Sequence, residues 1–361
     1  MTLQIKKIRL NELESFVNSK EFREYEVVPI SPIRAKSYLA NPNAQADDIV
    51  LYLGFIDNKL VAFRSLFADT LNSENQQIRL GWCSGNWVHE QHRRLGYSEQ
   101  LLREAYSDWD KKLMFTNYAP NSEKLYLKTE LFQAIHQFEG VRAYLYAKTS
   151  KLYQAKSNAF SLFIFKCLDF NITVFVKFSA LFYRSKQHQN ISFNVSEKPD
   201  KECFEFLKLN PIDSLFGRKE TELNWIFEHP WLTQQNYVGA SRYPFSSNSK
   251  AFYYQTVKIT RDNKMLGFFI FSVREGHLKT LYFNLTEDCT KEIAAFLIKY
   301  CLTNKIEYAT IYKKELADEL LNRKFPFLYV KGYGQKIYST FHVSNKKQRT
   351  FQDGDGDVFF T

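Results

Sequence analysis

Glycine and proline are scarce in this chain, 13 and 9 among 361 residues, which leaves little room for long flexible linkers or low-complexity tracts. Cysteine is as sparse. Cys83, Cys167, Cys203, Cys289 and Cys301 form no Cys-x-x-Cys pair and have no metal-ligand spacing with the seven histidines. An odd count at irregular spacing argues against a disulfide framework or a zinc ribbon and points to reduced thiols in a cytoplasmic protein. The opening residues, Met1-Thr-Leu-Gln-Ile-Lys-Lys, have no apolar core, so no secretory signal is expected. The most apolar segment, 159–184, is interrupted by Lys166, Asp169 and Lys177; no run of 18 uncharged residues survives there, and a spanning helix is not expected. Dense runs of positive charge are missing too. The nearest is Asn345-Lys-Lys-Gln-Arg349, too short for a nucleic-acid arm.

What is present is aromatic and basic. Phe and Tyr number 33 and 22, the hydrophobic fraction is 45% against 24% charged, and the formal charge is +10. This is the composition of a soluble globular protein, and its length is that of two domains. Positive charge spread along a chain suits an anionic small ligand or an anionic surface better than nucleic acid.

The pattern of the first 150 residues is mixed α/β. Strands are expected at Ile5–Leu10, Ile49–Ile56, Leu60–Phe67, Ile78–Val88, Lys112–Asn117 and Val141–Lys148, with Asp57-Asn58-Lys59 turning the second into the third. Helices are expected from Asn11, over Pro32–Leu39, over Ser98–Trp109 and over Ser122–Phe138. Segment 151–190 reads as a helical connector buried between two domains. In it Lys166, Asp169, Thr173 and Lys177 share one helical stripe; a helix lying on a membrane surface through 159–184 is the other reading. From 191 to 345 the order starts again, with Arg261-Asp262-Asn263-Lys264 at the place of the first hairpin turn. Residues 346–361 form a tail. Its Asp353-Gly-Asp-Gly-Asp357 spacing is that of a calcium loop lacking its last ligand; an incidental acidic turn is expected, with a metal or substrate-amine contact as the other reading.

The informative stretch runs from Val88 through His89, Arg93, Arg94, Leu95, Gly96 and Tyr97 to Ser98. A strand delivers the chain to a loop and a helix starts at its end, so free amides and the positive end of the helix dipole converge on one point. Gly96 allows the backbone to approach an anion closely, and the two arginines add charge.

Arg93-Arg94-Leu95-Gly96-Tyr97-Ser98 resembles the Arg/Gln-x-x-Gly-x-Gly/Ala motif of the GNAT acyltransferase superfamily, and Ser122-Glu-Lys-Leu-Tyr126-Leu-Lys128 resembles its small-x-x-Leu-Tyr-x-Lys helix. Glu90, Ala119 and Glu130-Leu131-Phe132 depart from the family pattern. The resemblance implies two GNAT-like mixed-sheet α/β domains in tandem. It further implies acetyl-CoA or another acyl-CoA as co-substrate, its pyrophosphate held by Val88 and Arg93–Ser98, and acyl transfer to an amine of a small molecule, an amino sugar or a saccharide precursor. Tyr126 is implied as the acid that protonates the thiolate. His89 and His92 are the titratable groups near the loop, and strand 78–88 carries no carboxylate to act as base. Cys83 reads as a buried structural thiol. Between 278–285 and 290–302 the second copy has Thr286-Glu-Asp-Cys289 in place of the loop, so it is expected to hold no CoA. Trp225–Trp231 is read either as cleft wall or as core. A Fem-like aminoacyl ligase and a non-catalytic CoA-binding scaffold are the competing functions.

Overall fold

The computed structural model describes residues 2–74, 76–117, 120–146, 158–182, 190–235, 240–323, 326–344 and 349–360. The chain forms two compact units, each built from separated segments. Unit 1 takes Met1–Gln137, Pro211–Lys250 and Gln335–Thr361; unit 2 takes Phe138–Asn210 and Ala251–Gly334. The boundaries expected at 150 and 190 therefore do not coincide with the units.

Unit 1 begins with β1 (Gln4–Arg9), α1 (Leu10–Asn18), α2 (Lys20–Glu24) and α3 (Pro32–Leu39), the last opened by Ser31 accepting the Arg34 amide and by Pro32 in its first turn. Then come β2 (Ile49–Ile56), β3 (Lys59–Ser73), β4 (Gln76–Val88), α4 (Tyr97–Asp108), β5 (Leu113–Thr116) and α5 (Pro120–Lys128). Asp57 and Asn58 both adopt positive φ, 48° and 61°, the backbone a tight hairpin turn demands. The strand order is β1-β2-β3-β4-β5-β12, where β12 (Tyr329–Ser339) enters through Ile337–Ser339 paired with Met114–Thr116. Neighbours are antiparallel except β4 with β5. Leu101, Leu102 and Ala105 of α4 bury against Leu66, Phe115 and Tyr126.

The helix expected over Ser122–Phe138 ends at Lys128. Glu130 turns to φ 57°, and β6 (Gln133–Tyr144) follows. Its second half belongs to unit 2, where Val141–Tyr144 pair with β11 (Tyr308–Ile311). The pattern alone favoured helix; a long-range strand partner decided otherwise.

Unit 2 runs α6 (Ala159–Phe182), β7 (Ile191–Ser196), α7 (Lys201–Leu209), β8 (Phe252–Arg261), β9 (Lys264–Arg274), β10 (His277–Leu285), α9 (Thr290–Thr303), β11 and α10 (Lys314–Asn322). Its strand order, β6-β11-β10-β9-β8-β7, repeats that of unit 1, with β10 and β11 the parallel pair. Asp262 and Asn263 repeat the positive φ of the first hairpin. The two-copy expectation holds in topology, with the sixth strand of each sheet supplied from a distant part of the chain. The remaining helix, α8 (Glu220–Glu228), lies in unit 1 rather than in the second copy. Trp225 and Trp231 are buried there, their indole N–H groups bonded to the Ser37 carbonyl and hydroxyl; these tryptophans are core, not cleft wall.

Candidate functional site

Two local features of β4 create the site. First, β4 and β5 are paired at Gly81–Leu113 and Trp82–Met114, and among the described residues no later pair follows, although β4 continues to Val88 and β5 to Thr116. Parallel strands that part leave an opening beyond their carboxyl ends. Second, the β3–β4 register passes from Ser65–Gly85 to Leu66–Cys83, so Ser84 is the extra residue of a β-bulge. A bulge breaks the ladder and re-aims side chains.

Past Val88 the chain makes a short 3-10 turn at Glu90–His92 and enters α4 through Gly96, whose φ of 82° suits glycine. No side chain caps the helix at Gly96, and a Cβ built there meets nothing within 4 Å. This uncapped helix start, open around Gly96, is an arrangement that can receive an anion. Arg93, Arg94 and Leu95 are exposed and Tyr97 is buried. Arg93 reaches back to the Val88 carbonyl and lies 3.6 Å from Glu90. In unit 2 the corresponding helix start is filled from within: Asp288 accepts the Thr290 amide at 2.9 Å and Glu287 pairs with Arg261.

At the inner end of α4 lies a group that the motif did not announce. Arg64 of β3 is fully buried. Its Nη1 donates to the Tyr126 hydroxyl at 2.8 Å; its Nη2 reaches the Ser98 carbonyl at 3.2 Å and Asn86 Oδ1 at 3.3 Å. Ser98 Oγ in turn donates to Asn86 at 2.6 Å. Arg64 thus ties Tyr126 to the first turn of α4. Tyr126 itself packs against Phe115 with ring centroids 4.1 Å apart and is 4% exposed. The hydroxyl of the implied acid is therefore enclosed. Burial pushes it up to about 12 although Arg64 pulls the other way. Burial likewise pushes the Cys83 thiol up to about 11, which suits the structural thiol expected there.

No contact between His89 and Tyr126 is seen among the described residues. The His89 ring accepts the Gln91 amide at 3.4 Å, and five residues of strand, about 16 Å when extended, separate it from Ser84. His89 and His92 belong to the loop, at a ring separation of 5.7 Å. The family's asparagine position, Ala119, lies outside the described residues.

The carboxylate missing from β4 arrives from the tail. Asp357 accepts the Ser84 hydroxyl at 3.0 Å, and Ser84 also accepts from Arg34 of α3. The charge of Asp357 bears on Cys83 and Tyr126, raising the pKa of each. The acidic turn expected of this tail is instead wound into unit 1. Phe360 stacks on Trp231 at 4.4 Å, and Asp353 and Asp355 are buried. Arg218 makes a bidentate pair with Asp69 at 2.9 and 2.8 Å and lies 3.8 Å from Asp355. Sequence reading missed Arg34, Arg64 and Ser84; it singled out the Asp353–Asp357 turn but not the place of Asp357 beside β4. Arg64 carried a signal, as the one charge inside the apolar run Leu60–Phe67.

Burial raises the Asp355 carboxyl to about 7, against the pull of Arg218. The folded value exceeds the ordinary 3.8, so the folded chain retains a proton that the unfolded chain releases. The associated stability is complete below about pH 4 and is lost as pH rises through about 7. Asp355→Asn is therefore expected to gain on the parent by about 2–3 kcal/mol between pH 5 and pH 8. Parallel stability curves for the two proteins in urea titrations would contradict the assignment.

No family model and no curated protein sequence matches the chain. Its fold resembles several solved structures. One is Saccharomyces cerevisiae N-myristoyltransferase with bound myristoyl-CoA, at TM-score 0.52 and 13% identity, covering 100% of this chain and 84% of that one. Another is a tandem GNAT protein from the clavulanic acid biosynthesis pathway, at 0.52 and 10%, covering 94% and 99%. A third is a probable N-acyltransferase of Enterococcus faecalis, at 0.51 and 11%, covering 95% and 73%. At these identities the likeness establishes the architecture, two copies of one mixed-sheet α/β fold.

Proposed function

We propose that this tandem GNAT-fold chain is an acyl-CoA-dependent acyltransferase, with unit 1 binding the donor and unit 2 holding none. The observation that carries the reading is the uncapped start of α4, open around Gly96, at the end of a strand that has parted from its parallel neighbour. In this reading the pyrophosphate takes the Gly96–Ser98 amides with Arg93 and Arg94 beside them, and the pantetheine enters between β4 and β5. Acetyl-CoA is the simplest donor, and the acceptor is an amine of a small molecule or amino sugar. Free thiols at Cys83, Cys203, Cys289 and Cys301 fit a cytoplasmic setting.

The acceptor nitrogen attacks the thioester carbon and passes its proton to the Asp357 carboxylate. The carbonyl oxygen takes charge near the backbone amides released by the Ser84 bulge. The C–S bond then breaks, and the thiolate takes a proton from Tyr126, whose phenolate Arg64 stabilises. His89 has no part in these steps. The enclosed phenol favours one second reading, a protein that binds acyl-CoA without turning it over; thiol release on incubation with acyl-CoA and amines separates the two.

Acyl-CoA at about a hundred times its dissociation constant is expected to stabilise the chain by about 2.7 kcal/mol. Gly96→Glu is expected to abolish that response, because it places a side chain at positive φ and a carboxylate where phosphate would sit. Thermal melts with and without acetyl-CoA, myristoyl-CoA and free CoA test this. An unaltered melting temperature for the parent, or a full response in the variant, would sink the donor site.

A further inference from the structure

Helix α6 of unit 2 contradicts the expectation of a buried connector. Its 24 residues extend about 36 Å. One face docks on the unit's own core: Val176 is fully buried and Ile172 packs beside it, with Leu162, Phe165, Asp169 and Thr173 partly covered along the same stripe. The opposite face is exposed and mostly apolar, with Asn171 on it and Lys166 at its edge. Phe160 is 73% exposed, Phe163 64%, Phe170 68% and Phe175 59%, joined by Leu168 and Val174. Over Ala159–Val176 the mean hydropathy is 1.7, yet 6% of the window is buried. So large a contiguous apolar face on a soluble unit marks an interaction surface.

The charges flanking the helix select its occupant. Lys148, Lys151 and Lys156 precede it, and Lys177, Arg184 and Lys186 close and follow it. From Gly140 to Ser196 the single acid is Asp169, which lies on the stripe facing the core. We infer that α6 docks unit 2 on an anionic lipid bilayer, lying in the plane of the interface with its phenylalanines among the acyl chains. A spanning arrangement does not fit, because it would strip Val176 and Ile172 from their core. A second copy of the chain does not fit either, because it would bring two like-charged sets of flanks together.

The test uses the full chain and sedimentation with vesicles of phosphatidylcholine, alone or with about one-third phosphatidylserine, at low and high salt. The parent is expected to bind the anionic vesicles at least about tenfold more tightly than the neutral ones and to be released by salt. Phe163→Glu/Phe170→Glu is expected to abolish binding. Lys151→Gln/Lys156→Gln/Arg184→Gln is expected to lower it on anionic vesicles alone. Both variants should keep the parent's circular dichroism and its thermal response to acyl-CoA, so failure here is distinguishable from failure of the donor site. Three results would each overturn the inference: no binding by the parent, binding that survives Phe163→Glu/Phe170→Glu, or a parent dimer that those substitutions dissociate.

Discussion

Arg218→Ala is expected to destabilise the protein by about 3–5 kcal/mol, the cost of breaking a buried ion pair from one side, and to lower its melting temperature by about 10 °C. Arg218 and Asp69 are both almost fully buried, with side chains 4% and 1% exposed. Removing the guanidinium leaves the Asp69 carboxylate with the Trp82 indole N–H, the Thr70 amide and Asn43 as donors, which compensate part of its charge. It also leaves Asp355 without its cation. The cause is uncompensated charge rather than lost volume, so Asp69→Asn/Arg218→Met should recover much of the loss: it removes both charges and keeps an acceptor for Trp82. Denaturant titrations of the parent, the single and the double variant supply the measurement. A loss under about 1 kcal/mol in the single variant, or a double variant no better than the single, would show that the pair does not hold the tail and Pro211–Lys250 segments to unit 1.

Tyr126→Phe is expected to slow acyl-CoA turnover by roughly 10²–10⁴-fold, the usual worth of a positioned acid, with acyl-CoA affinity retained. Slow hydrolysis of the thioester, followed by thiol release, tests this before any acceptor is known. The substitution also deprives Arg64 Nη1 of its phenolic partner in a fully buried place, so a stability loss of about 1–3 kcal/mol accompanies it. The two effects are separable. A rate within about twofold of the parent, corrected for folded fraction, would leave Tyr126 as a core aromatic that positions Arg64. Asp357→Asn should cut the rate on the same scale. A rate within about twofold of the parent would remove Asp357 from the chemistry.

Much of the fold was legible because its signals are local. Apolar β-rich runs marked the long strands, the two Asp-Asn turns marked the matching hairpins, and the strand–loop–helix passage through Gly96 marked the candidate anion loop. The errors fall where partners are remote. Residues 133–138 read as helix, but they form the first half of β6, a strand whose neighbours are remote in sequence. Segment 211–250 read as second domain until Trp225 and Trp231 are seen bonded to Ser37.

The sequence by itself therefore determined the fold class and the repeat, through the order of its elements, and the candidate anion loop, written in the consecutive residues Val88–Ser98. The tertiary structure decided which residues gather around Tyr126 and Ser84. Ser84 leaves its ladder only because β3 and β4 pair with a bulge. Arg64 meets Tyr126 across 62 positions of chain, and Asp357 reaches Ser84 across 273. No periodicity encodes such a meeting. It exists because the apolar tail, Val358-Phe-Phe360, is buried in unit 1 and carries its carboxylate with it.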